Sequence, residues 1–135
     1  MVMSPDPGGI LDVLVKLTRV RLGGPIAGGA QFVSWIHGLS FVRAVEFLME
    51  RPDISGPVNL AAPHPLPQRE LMRSLRGALG VPLRLPATAW MAEIGAFVLR
   101  VVPGHPLEAG FVFEHPEWGS AVKKLVPRWR EVRRG

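Results

Sequence analysis

Fifteen glycines and fourteen prolines are spread through 135 residues, and they cut the chain into short periodic runs. Glycine reaches positive φ without strain, while proline presets φ and removes a backbone donor. Each cluster of the two therefore ends whatever helix or strand precedes it. The chain is confined to short elements joined by short connections, and it shows neither an internal repeat nor a long linker.

The runs alternate in type. Met1 to Met3 reads as a short strand, and Ser4-Pro5-Asp6-Pro7-Gly8-Gly9 is dense turn chemistry. From Ile10 to Arg21, Leu11, Leu14, Val15 and Thr18 share one helical face, with Asp12, Lys16 and Arg19 on another. A glycine loop, Gly23 to Gly29, leads into strand formers from Gln31 to Ile36. Ser40 is the expected N-cap of a second helix, in which Phe41, Val45 and Leu48 continue at helical spacing while Arg43, Glu46 and Glu50 form the solvent stripe. Pro52 to Pro57 ends it, and Val58 to Ala61 is a short strand candidate. Pro67 in the first turn, Leu71, Leu75, Ala78 and Leu79 on one face and Gly80 as terminator define a third helix. Ala87 to Leu99 is apolar on almost every side, so it buries all round or exposes a patch. Leu107 to Phe113 reads as a turn and short strand, and Pro116 to Leu125 as a last helix. The fold class is α/β.

Length leaves room for one modest core, and a composition 47% apolar and 20% charged is that of a globular chain. With no cysteine there is no disulfide, thiolate nucleophile or cysteine-based zinc site. The first residues lack the features of a signal peptide, so a cytoplasmic location is expected. The longest apolar stretch, Pro86 to Val102, is broken by Glu93 and Arg100 and falls short of the roughly 20 residues a span requires, so no membrane partner is expected. The net charge of +5 resides at the C-terminal end, in Lys123, Lys124, Arg128, Arg130, Arg133 and Arg134 against Glu131. Apart from Trp129 no stacking aromatic or binding motif accompanies this cluster. It reads as a solvated, disordered tail, and no nucleic-acid partner is expected.

Catalytic signatures are sparse. Gly23 and Gly28 match the outer glycines of a phosphate-binding loop, but Gly29 and Ala30 stand where lysine and a hydroxyl residue are required, and no GxGxxG occurs. His37, His64, His105 and His115 form no metal-ligand spacing, and no metal site is expected. His37, beside Trp35 at the end of an apolar run, reads as a structural histidine rather than a general base. Glu46 and Glu50 share the solvent stripe with Arg43, so no glycosidase-style carboxylate pair is indicated. No serine stands in a GxSxG elbow. Tyrosine is absent, which removes a phenol as general acid.

The run from Leu22-Gly23-Gly24-Pro25 through Gly29 and Gln31 into Ser34-Trp35-Ile36-His37 resembles the substrate-side half of an atypical short-chain dehydrogenase/reductase, the epimerase-like family. Met3-Ser4-Pro5 with Gly8-Gly9, Ser55-Gly56-Pro57 through Pro63, and Leu107-Glu108-Ala109-Gly110-Phe111 with Phe113 and Pro116 resemble it in the same order. The resemblance implies a C-terminal, substrate-side portion of a Rossmann-type fold, lacking the N-terminal half that binds NAD(P) and carries a tyrosine–lysine pair. It divides the chain into a late Rossmann segment over residues 1–66, the family's C-terminal domain of unknown function over 67–125, and the basic tail over 126–135. Sugar nucleotides are the implied substrates. NAD(P) is implied for the parent family and no cofactor is expected for this chain alone. No catalytic residue is assigned. Gly24, Gln31, Trp35 and His37 are the implied substrate-side positions. Members of the family carry aspartate where Ser40 stands, and a segment present in them is missing between Arg100 and Val101. Self-association, or contact with a dinucleotide-binding half, is expected through apolar surface. The alternative is a non-catalytic interaction module using the 87–99 helix.

Overall fold

A computed structural model describes residues 1–25, 27–81 and 111–134. The apolar helix expected over Ala87 to Leu99, the turn from Leu107 to Gly110 and the Arg100–Val101 junction lie outside the described residues.

Strand β1, Val2–Met3, drives Met3 into the core and pairs in parallel with β3, Ile36–His37, with Val2 opposite Ile36 and Met3 opposite His37. Parallel neighbours require a crossover, and helix α1, Ile10–Arg19, lies in the connection. Its buried face, Leu11, Asp12, Val15 and Thr18, follows helical spacing. It stops before the expected Arg21 because Leu22 N–H turns back to Leu17 O at 2.9 Å and Arg21 N–H to Thr18 O at 3.0 Å. That is a Schellman ending whose left-handed position is filled by Arg21, with φ 65°.

Strand β2, Phe32–Val33, pairs antiparallel with β4, Leu66–Pro67. Helix α2, Gly38–Met49, follows β3 directly, and helix α3, Gln68–Leu79, follows β4. Gly80, at φ 72° and ψ 31°, closes α3 with Val81 N–H on Arg76 O at 3.1 Å, as the glycine terminator implies. Val58 to Ala61 does not form a ladder. The chain instead passes β3 on a single bond, Ala62 N–H to Trp35 O at 2.6 Å. Phe111 to Phe113 is not a strand either, and packs ring against ring toward Phe47 of α2, at centroid distances of 5.0 and 5.7 Å.

Helix α4, Trp118–Val132, corrects the expectation of a helix ending at Leu125 and a disordered tail. Its buried positions Trp118, Ala121, Val122, Leu125, Val126 and Trp129 keep one helical period straight through Pro127. A proline inside a helix costs about 3 kcal/mol. Burial of Val126 and Trp129 opposes that cost, and the Trp129 indole N–H donates to Asp12 Oδ1 at 2.9 Å. The core is one cluster in which α4 lies on α3 and α3 on α1, with Trp35 set edge-on against Trp118 at 5.2 Å.

Candidate functional site

In an open parallel sheet, ligands are received beyond the carboxyl ends of the strands, where loops leave one strand and helices begin after the next. Here β1 and β3 run parallel and both end at the same level, Met3 opposite His37. The side chains gathered there are Ser4 and Asp6 from the loop after β1, His37 at the end of β3, and Ser40 in the first turn of α2. Ser4 Oγ donates to Asp6 Oδ2. Gly38 lies so close that a Cβ on it would meet Ser4 Cβ at 3.3 Å and Met3 O at 3.4 Å, so the start of α2 is pressed against the end of β1.

His37, not Ser40, caps α2. Its Nδ1 accepts from Leu39 N–H at 3.1 Å, which leaves Nε2 as the protonated nitrogen. Burial, then the neighbouring His115 ring at 4.5 Å, push its pKa down to about 4, so the ring is neutral at pH 7. A neutral, capped imidazole fits the structural role expected for it. Ser40 falls inside the helix because the cap position is one turn earlier. Ser40 is 1% exposed, and its hydroxyl has no hydrogen-bond partner among the described residues. An orphaned buried hydroxyl costs about 1–3 kcal/mol, and in a native fold it marks a place where a partner group belongs.

The other substrate-side positions divide. Trp35 is fully buried, its N–H donating to His64 O at 3.3 Å and its ring on Trp118, so it supports the site from the core. Gly24 and Gln31 are brought together by a residue not among the expected ones, Gln68. Its backbone N–H donates to Gln31 O at 2.8 Å and its Nε2 to Gly24 O at 3.5 Å. The glycine loop, read from sequence as a flexible or substrate-side loop, is tied to α3. Gly29 has φ 66°, and a Cβ there would come within 2.8 Å of both Arg69 Cβ and Pro25 Cβ. Arg76 holds the other end through Gly23 O at 2.6 Å. Gln68 was legible in principle: it precedes Leu71, Met72 and Leu75 by three, four and seven residues, on the buried face of α3.

No family model matches the chain. Among curated proteins it is 36% identical over 137 aligned residues to "Epimerase family protein Mb2239" of Mycobacterium bovis, covering 95% of this chain and 45% of that protein. It is 31% identical over 128 residues to "Epimerase family protein SDR39U1" of Homo sapiens, covering 88% of this chain and 44% of that protein. The crystal structure of human SDR39U1 (isoform 2) with NADPH superposes over 93% of this chain and 45% of that chain, with a TM-score of 0.77 and 27% identity. The fold is therefore a partial portion of a Rossmann-like α/β architecture. The chain corresponds to the C-terminal part of an epimerase-like short-chain dehydrogenase/reductase, and it spans about 45% of the length of the relatives it matches.

NADPH in that solved structure raises the question of whether this chain could cradle a dinucleotide. Strand β1, the Gly8-Gly9 turn and α1 have the strand–turn–helix order such a cradle uses. Gly8 N–H, however, donates to Asp12 Oδ2 at 3.0 Å. The negative charge at the helix start is thus supplied from within, and a buried carboxylate there repels a pyrophosphate. That turn does not fit the phosphates of NADPH. Nor do three metal-ligating side chains come together among them, and no described helix is long and apolar enough to cross a membrane.

Proposed function

We propose that this chain supplies the substrate-side and C-terminal portion of an NADP(H)-dependent, epimerase-like reductase and does not turn over substrate alone. The observation that carries the reading is the incompleteness of the β1–β3 end among the described residues: two parallel strands, one orphaned buried hydroxyl at Ser40, and a turn before α1 whose Gly8 amide is already taken by Asp12. Parallel sheets are covered on both faces, because crossover helices lie on each. Helix α2 buries only Ser40 and Ala44, while Leu39, Val42, Val45 and Met49 stay exposed along its opposite side. A dinucleotide-binding half is the partner of matching architecture for that face. Sugar nucleotides are the substrate class the family resemblance implies, and Ser4, His37 and Gln68 serve to position: Ser4 and His37 hold the two strand ends, and Gln68 holds the Gly24 to Gln31 loop.

The test is NADPH titration followed by thermal unfolding, on the chain alone and mixed with the dinucleotide-binding half of an epimerase-family relative. The expected result is that NADPH moves the unfolding midpoint of the chain alone no further than an equal concentration of tripolyphosphate does, and raises it further in the mixture. A larger rise for the chain alone overturns the reading. So does self-association that buries the α2 face and excludes the added half.

A further inference from the structure

Where α1, α3 and α4 converge, away from the strand ends, a half-open cleft of about 500 Å³ is lined by Arg19, Leu79, Trp129, Arg130, Arg133 and Arg134. That volume is in the range of small-molecule sites. Four arginines line it, and no aspartate or glutamate is among the described residues that do. Asp12 meets Arg133 at 3.1 Å from beneath, but it also holds Lys16 at 2.8 Å, so its single charge leaves the cleft strongly positive. Concave surfaces lined by one sign of charge concentrate the opposite ion.

Two of the arginines are also held in place. Arg19 and Arg133 lie over the Trp129 ring at 5.7 and 5.4 Å from its centroid. Stacking immobilises a guanidinium through its flat face and turns its N–H edge toward oxygen anions, although one amino group of Arg133 already donates to Asp12. Trp129 is itself fixed by its bond to Asp12. Side chains ordered before binding lose less entropy on binding. One phosphate group does not neutralise four arginines.

We propose that this cleft binds a small molecule carrying two or more phosphate groups. A compact anion fits its concavity, whereas a flat lipid surface or an extended polyanion engages only the rim. This assignment does not rest on the reductase reading above.

Tripolyphosphate titrated into the intact chain, read by tryptophan fluorescence and calorimetry, tests it. Saturable binding is expected, weakening with added salt and roughly tenfold tighter than for orthophosphate. Arg19→Gln and Arg130→Gln, both at exposed positions, should each weaken it about tenfold. The double variant Lys123→Gln/Lys124→Gln removes two exposed charges from α4 outside the cleft and should leave affinity within roughly twofold. Absence of saturable binding overturns the proposal, and so does an equal loss in the lysine variant, which would reduce the effect to net charge. Retention on phosphoinositide vesicles or duplex DNA that is tighter than tripolyphosphate binding, and lost in the arginine variants, would assign the cleft to a macromolecule and overturn it as well.

Discussion

Helices α1 and α2 both pack against β1, and each places a buried polar side chain at the same point of its first turn, Asp12 in α1 and Ser40 in α2. Asp12 is met by Lys16, by Gly8 N–H, by Trp129 Nε1–H and by Arg133, and its carboxyl is held well below the usual carboxylate range, first by Lys16 and then by the Gly8 amide. The Ser40 hydroxyl meets no hydrogen-bond partner among the described residues. On one side the chain answers its own buried group with elements more than a hundred residues apart; on the other it leaves the group unanswered. Burial of a polar atom is tolerable only with a partner, so the difference separates a self-sufficient side, α1 with α3 and α4, from a side shaped for something further.

Breaking the satisfied side should have the largest effect. Asp12→Ala strands the Trp129 indole N–H and the Gly8 amide at once and should cost about 3 kcal/mol in a denaturant melt, detaching the end of α4. The same group sets an acid limb. Because its folded pKa is depressed, its stabilisation is full above the unfolded value near 4 and is lost as pH falls below that. Asp12→Asn should flatten that limb.

The other side carries a second pH window. His37 titrates at about 4 in the fold against 6.5 in the unfolded chain, so its contribution is complete above 6.5 and disappears as pH falls toward 4. His37→Asn keeps an N-cap acceptor, should remain within about 1 kcal/mol of the parent at pH 7, and should abolish the loss between those two values in thermal melts. Ser40→Ala sharpens the contrast further. Removing an unpaired hydroxyl should be neutral or stabilising by up to about 1 kcal/mol, and a clear destabilisation would show that the hydroxyl has a partner after all. The smallest effect belongs to the self-sufficient side, where Arg21→Gly relieves a left-handed residue and should raise stability by about 0.5–1 kcal/mol by the same melts.

Legibility followed the range of the interactions. Helix α3 could be read to its terminator because Pro67, the Leu71 and Leu75 spacing and Gly80 act within a turn or two of themselves. The true length of helix α4 is hidden in the sequence, because Pro127 and the arginine cluster are local stop signals. Val126 and Trp129 continue the apolar period beyond them, and their reward comes from distant partners. At the strand ends, His37 was recognisable as structural. Its role as the cap, and the displacement of Ser40 into the helix, depend on β3 running directly into α2 without a turn.

By itself the sequence determined the alternation of short helices and strands, the glycine terminator at Gly80, and the family to which the chain corresponds. These rest on backbone sterics and on residue patterns that are local in the chain. Only the tertiary structure decided that β1 pairs with β3, that Gln68 pins the glycine loop, that Asp12 reaches Trp129 and Arg133, and that four arginines share one cleft. Those facts join residues far apart in sequence, and their energies exist only once the intervening chain has closed and water has been excluded between them.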